Sequence, residues 1–496
     1  MNAPFRIESV TPVHLRRLHP EAAMLLRERL LWFAALALCG TLALWLGWIG
    51  FIASDDSLYY EGALRWLTDP PFAGDNHWST RFPLTLTFAG VIALLGKGYA
   101  AFAATALLFY AGMVAVTGRA AAKVGGERTG WIAALLTATL PVIVSHATTV
   151  SVDLVEASAL LLGATLLGGA RDDAAGLRSG IGAGVAFGVA MLCRETTALP
   201  LVGLAPLFLL GRPVPRRVLV AAGVGFALVI GAEALFQWAL TGDPLRRYTI
   251  AFHHDEHIDR ARNLEGNVLL WPPIDPLLVL LINDDFGLLF WAAGAALALG
   301  TLRRLEPEAR ARLAIVGAMA LAAFLLVAVL TTKLVLNPRY FTLPALAAVI
   351  VVAAWLARAE WRVRTVTLAA LVGSGLLLAS VGNAHPRWQM EALVAAAEAH
   401  PGEPVAGAGE EVRRASLPIA LAGRGQVTAT PRPGGLIVAP EASAPAGTVL
   451  ARYPSPPTRL GQVLRALGVE PLVPGAVKRR MFAPNPSYVL VRTPGG

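Results

Sequence analysis

The chain reads as an all-α polytopic membrane bundle, with about eleven transmembrane helices plus interfacial helices, and with a small external α/β domain at the C-terminus. Three observations predict it. Of the 496 residues, 55% are hydrophobic and 15% are charged, whereas a soluble domain carries about 25% charged residues. The mean hydropathy is +0.58. The apolar residues fall in long runs that recur from Leu30 to Val381, and a run of about 18 or more marks a membrane helix. From position 383 the runs stop, and Pro, Gly and charge take over.

The spans expected in order are 30–52, 99–118, 129–147, 152–170, 179–194, 196–211, 218–240, 286–302, 312–331, 337–357 and 365–382. The chain then divides into a cytoplasmic segment at 1–29, a membrane domain at 30–382 and an external domain at 383–496. Orientation follows from the loops. If Arg16, Arg17, Arg27 and Arg29 are cytoplasmic, the next cytoplasmic loops hold Arg119, Lys123 and Arg128; Arg171 and Arg178; Arg212, Arg216 and Arg217; Arg303, Arg304 and Arg310; and Arg358, Arg362 and Arg364. Every one is basic. The opposite loops are acidic or mixed, starting with Asp55, Asp56, Glu61, Asp69 and Asp75. The N-terminus has no cleavage pattern after its apolar run, so 30–52 is expected to stay as a helix.

The apolar stretch 84–96 is too short for a straight span, and counting it would move the Arg119–Arg128 loop outside. It is expected to lie in the outer interface, and Leu277–Ile282 is similar. In the tail, helices are expected at 388–398, 410–421 and 460–467. Strands are expected at 405–407, 436–438, 449–453 and 488–492.

The net charge of +9 is explained by the basic loops. No basic stripe with interleaved aromatics is present, so a nucleic-acid partner is excluded. Cys39 and Cys193 both sit in apolar runs and read as small packed hydrophobes; they provide no disulfide framework. Gly180-Ile181-Gly182-Ala183-Gly184 lies inside an apolar run with no strand before it, which points to close helix packing rather than nucleotide binding. No P-loop is present, which disfavours ATP-driven transport.

The polar residues that stand out sit where helices leave the membrane. Ser54-Asp55-Asp56-Ser57-Leu58-Tyr59-Tyr60-Glu61 follows the first span, and its loop ends in Trp78-Ser79-Thr80-Arg81-Phe82-Pro83-Leu84. The plainer reading is an acidic interfacial loop with tyrosines as belt residues. A lone acid, Asp153, opens the fourth span after Ser145-His146-Ala147-Thr148-Thr149-Val150-Ser151. Ionisable groups at helix ends that face a bundle interior are costly and usually functional. Arg194 pairing with Glu195 or with another helix, and Arg339 capping an interface, are the plainer readings of those two cations. In the loop 241–285, His253 and His257 would share a helical face at i, i+4, a spacing that can hold a divalent metal; the alternative is a polar loop over the site.

This order of motifs resembles the GT-C class of membrane glycosyltransferases, in particular the bacterial members akin to protein O-mannosyltransferases and lipid A aminoarabinose transferases. The family's Asp-Glu-x-x-Tyr corresponds to Asp55, Asp56 and Tyr59. Its Lys-Pro-Pro-Leu corresponds to Arg81-Phe82-Pro83-Leu84, which keeps a cation but loses the first proline. Its later lone Asp matches Asp153. Asn337-Pro338-Arg339-Tyr340 is similar to the Arg-Tyr that opens a late helix, and Arg194 sits where relatives often carry a basic residue. The resemblance spans about residues 30–360 and leaves the tail out.

The resemblance implies transfer of a sugar from a polyprenyl-phosphate carrier, with inversion at the anomeric carbon, to an envelope glycan, lipid or protein on the periplasmic face of a bacterial inner membrane. Asp55 is expected as general base, with Asp56 as the second candidate and Asp153 orienting the acceptor or supporting Asp55. Arg81, Arg194 and Arg339, with Tyr59 and Tyr340, are expected to bind substrate, because fixed cations should face the departing phosphate. The alternative is a transporter or flippase of lipid-linked glycans, which calls for polar groups at the midplane and paired repeats with broken helices.

Overall fold

A computed structural model describes residues 20–253, 274–330, 336–382 and 387–495. The chain is a multi-pass helical membrane protein. It opens with α1 (Pro20–Gly47), then α2 (Asp55–Thr68), α3 (Phe82–Leu95), α4 (Tyr99–Gly125), α5 (Glu127–Thr139), α6 (Pro141–Ala147), α7 (Val152–Leu167) and α8 (Ala174–Cys193). A broken stretch holds α9 (Ala198–Leu201) and α10 (Leu204–Leu210), followed by α11 (Arg216–Thr241) and the short α12 (Arg246–His253). Beyond lie α13 (Asp275–Ile282), α14 (Leu289–Ala298), α15 (Thr301–Arg304), α16 (Pro307–Val329), α17 (Thr342–Arg358) and α18 (Trp361–Gly382).

Each of the eleven expected spans falls on helix, but seven of them are long and apolar enough to cross a membrane among the described residues. An eighth exists if α5 and α6, bent by 64°, count as one. Pro141 stands at the bend; its ring removes a backbone donor and clashes with the preceding turn. The expected spans at 152–170, 196–211 and 286–302 are corrected to shorter helices. Pro200 and Gly203 interrupt the second of them. The physical reason is that an apolar run does not show where the helix inside it is cut: Gly168 and Gly169 end α7, and Gly300, like Gly169 at positive φ, follows the end of α14.

The basic loops gather at one end of the bundle. Arg29 pairs with Glu127 at 2.7 Å and Arg128 with Glu28 at 2.9 Å. Arg312 donates to the Lys123 carbonyl at 2.9 Å. Asp55, Asp153, Arg194 and Arg339 lie at the opposite ends of these helices. For α8, that separation is about 30 Å by the rise of an α-helix.

The glycines of α8 act as the packing seam expected of them. A Cβ on Gly184 would lie 1.9 Å from the Ala222 carbonyl oxygen of α11, and one on Gly180 would lie 2.6 Å from that of Val218. From the other side, a Cβ on Gly225 would meet the Ile181 carbonyl at 2.1 Å. The backbones touch because neither helix interposes a side chain. Gly184→Leu is therefore expected to force the helices apart and to destabilise the protein by at least about 1–3 kcal/mol. Thermal unfolding in detergent, compared with Gly182→Leu, checks this; a Cβ at Gly182 meets only the end of Leu166 at 3.6 Å.

The tail follows its expected pattern, with α19 (Trp388–Ala399), β1 (Val405–Ala406), α20 (Gly409–Ala422), β3 (Leu436–Pro440), β4 (Thr448–Tyr453), α21 (Arg459–Ala466) and β5 (Tyr488–Arg492). It adds β2 (Val427–Thr428) and α22 (Gly475–Phe482), which the sequence pattern had not marked. The sheet order is β2-β1-β3-β5-β4, with β1 parallel to both neighbours and β5 antiparallel to both of its own. Its core is continuous with the first loop: Met390, Leu393, Val405, Leu436 and Leu490 share one apolar cluster with Phe51, Tyr59, Phe88 and Phe102. The tail is thus cemented onto the segments that carry Asp55.

Candidate active site

The chain leaves α1 at Gly47 and turns into α2 through a loop held by a carboxylate. Asp56 is 2% exposed. It accepts backbone N–H groups from Ile52 at 2.8 Å, Ser54 at 2.8 Å and Ser57 at 3.0 Å. Burial pushes its carboxyl up to about 6, against the pull of those three donors. Both oxygens are engaged in shaping the loop, so Asp56 fits the role of anchor better than that of base. Asp55, one residue earlier, points the other way. It begins α2, its side chain is 39% exposed, and its Oδ2 lies 3.7 Å from the Arg339 guanidinium.

A second set of residues converges from helix ends distant in sequence. The Ser151 hydroxyl caps α7 by accepting the Asp153 N–H at 3.3 Å, and it donates to Asp153 Oδ2 at 2.9 Å. Arg194, where α8 stops, donates to Asp153 Oδ1 at 2.5 Å. Glu156, one turn into α7, lies 3.9 Å from Arg194 and accepts the Thr197 hydroxyl at 2.6 Å. The Asn337 side chain accepts the Arg339 N–H at 3.0 Å and so starts the turn that presents Arg339 and Tyr340. Two guanidiniums lie over the Tyr340 ring, Arg194 at 4.6 Å and Arg339 at 5.8 Å from its centre. Such contacts hold a cation in place while leaving its N–H groups for an anion. Arg339 Nε is buried without a hydrogen-bond partner among the described residues, and a buried donor left in this state calls for a ligand.

Arg81 and Tyr59 form a third corner. Both are buried, the Tyr59 hydroxyl is hydrogen-bonded to Arg81, and Arg81 also meets His77 Nε2 at 2.6 Å. Asp55 and Arg194 are close enough for their charges to act on Arg81. The expected residues thus come together, with Asp56 turned inward as the exception. Between Arg194, Arg339 and Tyr340 a narrow cleft opens, walled below by Leu160, Leu199, Ala323 and Val327.

Of the two partners open to Arg194, the structure has another helix and not Glu195: Arg194 pairs with Asp153 of α7, and Glu195 binds Arg247 at 2.8 Å. Arg247 was not singled out in the sequence. It is fully buried and also donates to the carbonyls of Met191, Leu192 and Thr80. It locks the end of α8 to the residue before Arg81. A lone arginine beside Arg246 in a polar segment carries no signal of such burial. Glu156 and Thr197 escaped for the same reason. Of the expected metal pair, His253 is exposed, with Nδ1 2.7 Å from the Thr249 carbonyl; His257 lies outside the described residues.

Comparison with known proteins gives three findings. A family model described as dolichyl-phosphate-mannose-protein mannosyltransferase matches residues 77–237. No curated protein matches the chain. Among solved structures, ArnT from Cupriavidus metallidurans in the apo state has a TM-score of 0.59 at 14% identity, covering 87% of this chain and 96% of that one. The same protein bound to undecaprenyl phosphate gives 0.57 at 14% identity, over 86% and 96%. The oligosaccharyltransferase AglB from Archaeoglobus fulgidus, in complex with an inhibitory peptide and a dolichol-phosphate, gives 0.51 at 14% identity, over 80% and 64%. At these identities the structural likeness carries the fold. Together with the family match, it bears out the resemblance to the GT-C class.

Proposed function

Starting from the GT-C fold, we propose that this protein transfers a sugar from a polyprenyl-phosphate-linked donor to an acceptor on the periplasmic face of a bacterial inner membrane. The acceptor is an envelope glycan, lipid or protein. The observation that carries the reading is the half-exposed Asp55 carboxylate, 3.7 Å from Arg339, which itself lines a cleft with a second cation, Arg194, and Tyr340. A base and two fixed guanidiniums at one opening are what displacement of a phosphate by a hydroxyl requires.

In this mechanism the donor phosphate sits on Arg194 and Arg339, and its first prenyl units lie on the apolar wall below. Arg grips phosphate through paired N–H groups rather than as a point charge. Asp55 removes the acceptor proton as the acceptor oxygen attacks the anomeric carbon. Negative charge then grows on the departing phosphate, and the guanidiniums are already in place to meet it. Asp153 and Glu156 hold Arg194, Asp56 sets the loop that aims Asp55, and Arg81 with Tyr59 braces the far side. The basic loops lie at the other end of the bundle, which supports the placement of the site away from the cytoplasm. The test is mass spectrometry of envelope glycans from cells with and without the protein. The expected result is loss of one sugar increment from one glycan class; identical profiles would overturn the proposal.

A further inference from the structure

His146, in the last turn of α6, is absorbed by none of the roles above. Its Nδ1 lies 2.9 Å from the Ser151 hydroxyl oxygen, and that oxygen lies 2.9 Å from Asp153 Oδ2. Asp153 is paired with Arg194 and, as a carboxylate, it only accepts hydrogen bonds. The single hydrogen of Ser151 is therefore committed to Asp153. The remaining contact, between Ser151 Oγ and His146 Nδ1, is satisfied only if Nδ1 carries the hydrogen. A neutral imidazole has one N–H, so Nε2 is left as a bare acceptor. It has no hydrogen-bond partner among the described residues, and the side chain is 20% exposed.

The charges acting on this ring are Asp153 of α7, Arg194 at the end of α8, Arg339 and Asp55. The other helices packed on α6 are α1, α4, α5 and α18; Ala43 of α1 and Ala379 of α18 share a small apolar cluster with Val144 of α6. His146 is thus tied through Ser151 to Asp153, the partner of Arg194, and carries an oriented base.

We propose that His146 is a second base of this site, its Nε2 kept free to take a proton by the chain Nδ1–H, Ser151, Asp153. The role rests on the sugar-transfer reading. The acceptor oxygen bonds to the anomeric carbon, the bond from that carbon to phosphate oxygen breaks, and its electron pair leaves with the phosphate. The acceptor proton goes first to Asp55 and then, carried by water, to His146 Nε2, which restores the Asp55 carboxylate for the next cycle. The imidazolium is stabilised through Ser151 by Asp153 until it releases the proton to water.

Diethyl pyrocarbonate, which acylates unprotonated imidazole nitrogen, tests the base without any substrate. The full-length protein in detergent is labelled across a pH series, and the modified peptides are quantified by mass spectrometry. Exposed His253 serves as internal control. His146 is expected to be acylated, more slowly as its ring takes up a proton, and several-fold more slowly in Ser151→Ala, where Nδ1 loses its fixed partner. An unmodified His146 beside a modified His253 would sink the proposal, as would a rate indifferent to Ser151→Ala. The second readout is the pH profile of sugar transfer. His146→Gln should lower kcat by about 10²-fold, leave KM for the donor unchanged and remove the limb that titrates in the imidazole range. A purely structural histidine would leave that limb in place. Labelled His146 in a protein that transfers no sugar would leave the base standing and remove the reaction it serves.

Discussion

Asp55→Asn is expected to reduce sugar transfer by about 10²–10⁴-fold, the usual worth of a positioned general base. The substitution keeps the shape of the side chain and removes its basicity. Little in the fold depends on the charge of Asp55: it is half exposed, it makes no side-chain cap bond where it begins α2, and its partner Arg339 stands 3.7 Å away. Membrane insertion, yield and thermal stability should stay within error of the parent. Asp56→Asn should behave in the opposite manner. Its amide offers one accepting oxygen where two carboxylate oxygens now take three backbone N–H groups. A buried donor left unsatisfied costs about 1–3 kcal/mol, so this variant loses loop order first and activity as a consequence. Transfer from a radiolabelled lipid-linked donor in proteoliposomes, measured beside unfolding midpoints, separates the two. Full transfer by Asp55→Asn would remove it as base.

Arg339→Ala is the second large expected effect, a fall of about 10²–10³-fold in kcat, as found where a fixed donor to developing negative charge is deleted. Arg339 combines three features that a structural arginine rarely has together. Its guanidinium rests over an aromatic ring rather than on a carboxylate at contact distance, its side chain is 29% exposed, and its Nε is buried without a partner among the described residues. Arg339→Lys should recover only part of the loss, because an ammonium keeps the charge but not the planar fork. Undecaprenyl phosphate binding, followed by native mass spectrometry, gives an independent measure: affinity should fall in Arg339→Ala and be unchanged in Asp55→Asn. Equal binding by both variants would place the phosphate elsewhere. Arg194 is a poorer test, since removing it strands Asp153 as a buried unpaired charge, at a cost of about 3–5 kcal/mol in stability.

Much of this protein is legible along the chain, because the signals are local. Apolar runs mark the helices, a carboxylate pair marks the exit of α1, and the glycines at 180 and 184 mark a packing seam without reference to any distant residue. The tail elements are readable for the same reason, through apolar strand positions such as Leu436 and Val438 set between Pro- and Gly-rich turns. Tertiary structure alone decided the partners. Asp55 and Asp56 are chemically alike and adjacent, yet the packing of α2 leaves one part-exposed beside Arg339 and buries the other under three N–H groups. Arg194 passes over its neighbour Glu195 for Asp153, 41 positions away. Arg247 is buried because the end of α8 and the residue before Arg81 both present carbonyls to it. The division has one physical cause: hydrophobic periodicity is a property of consecutive residues, whereas an ion pair is chosen by whichever charges the closed bundle brings within a few ångströms, where removal from water leaves none of them free to stay alone.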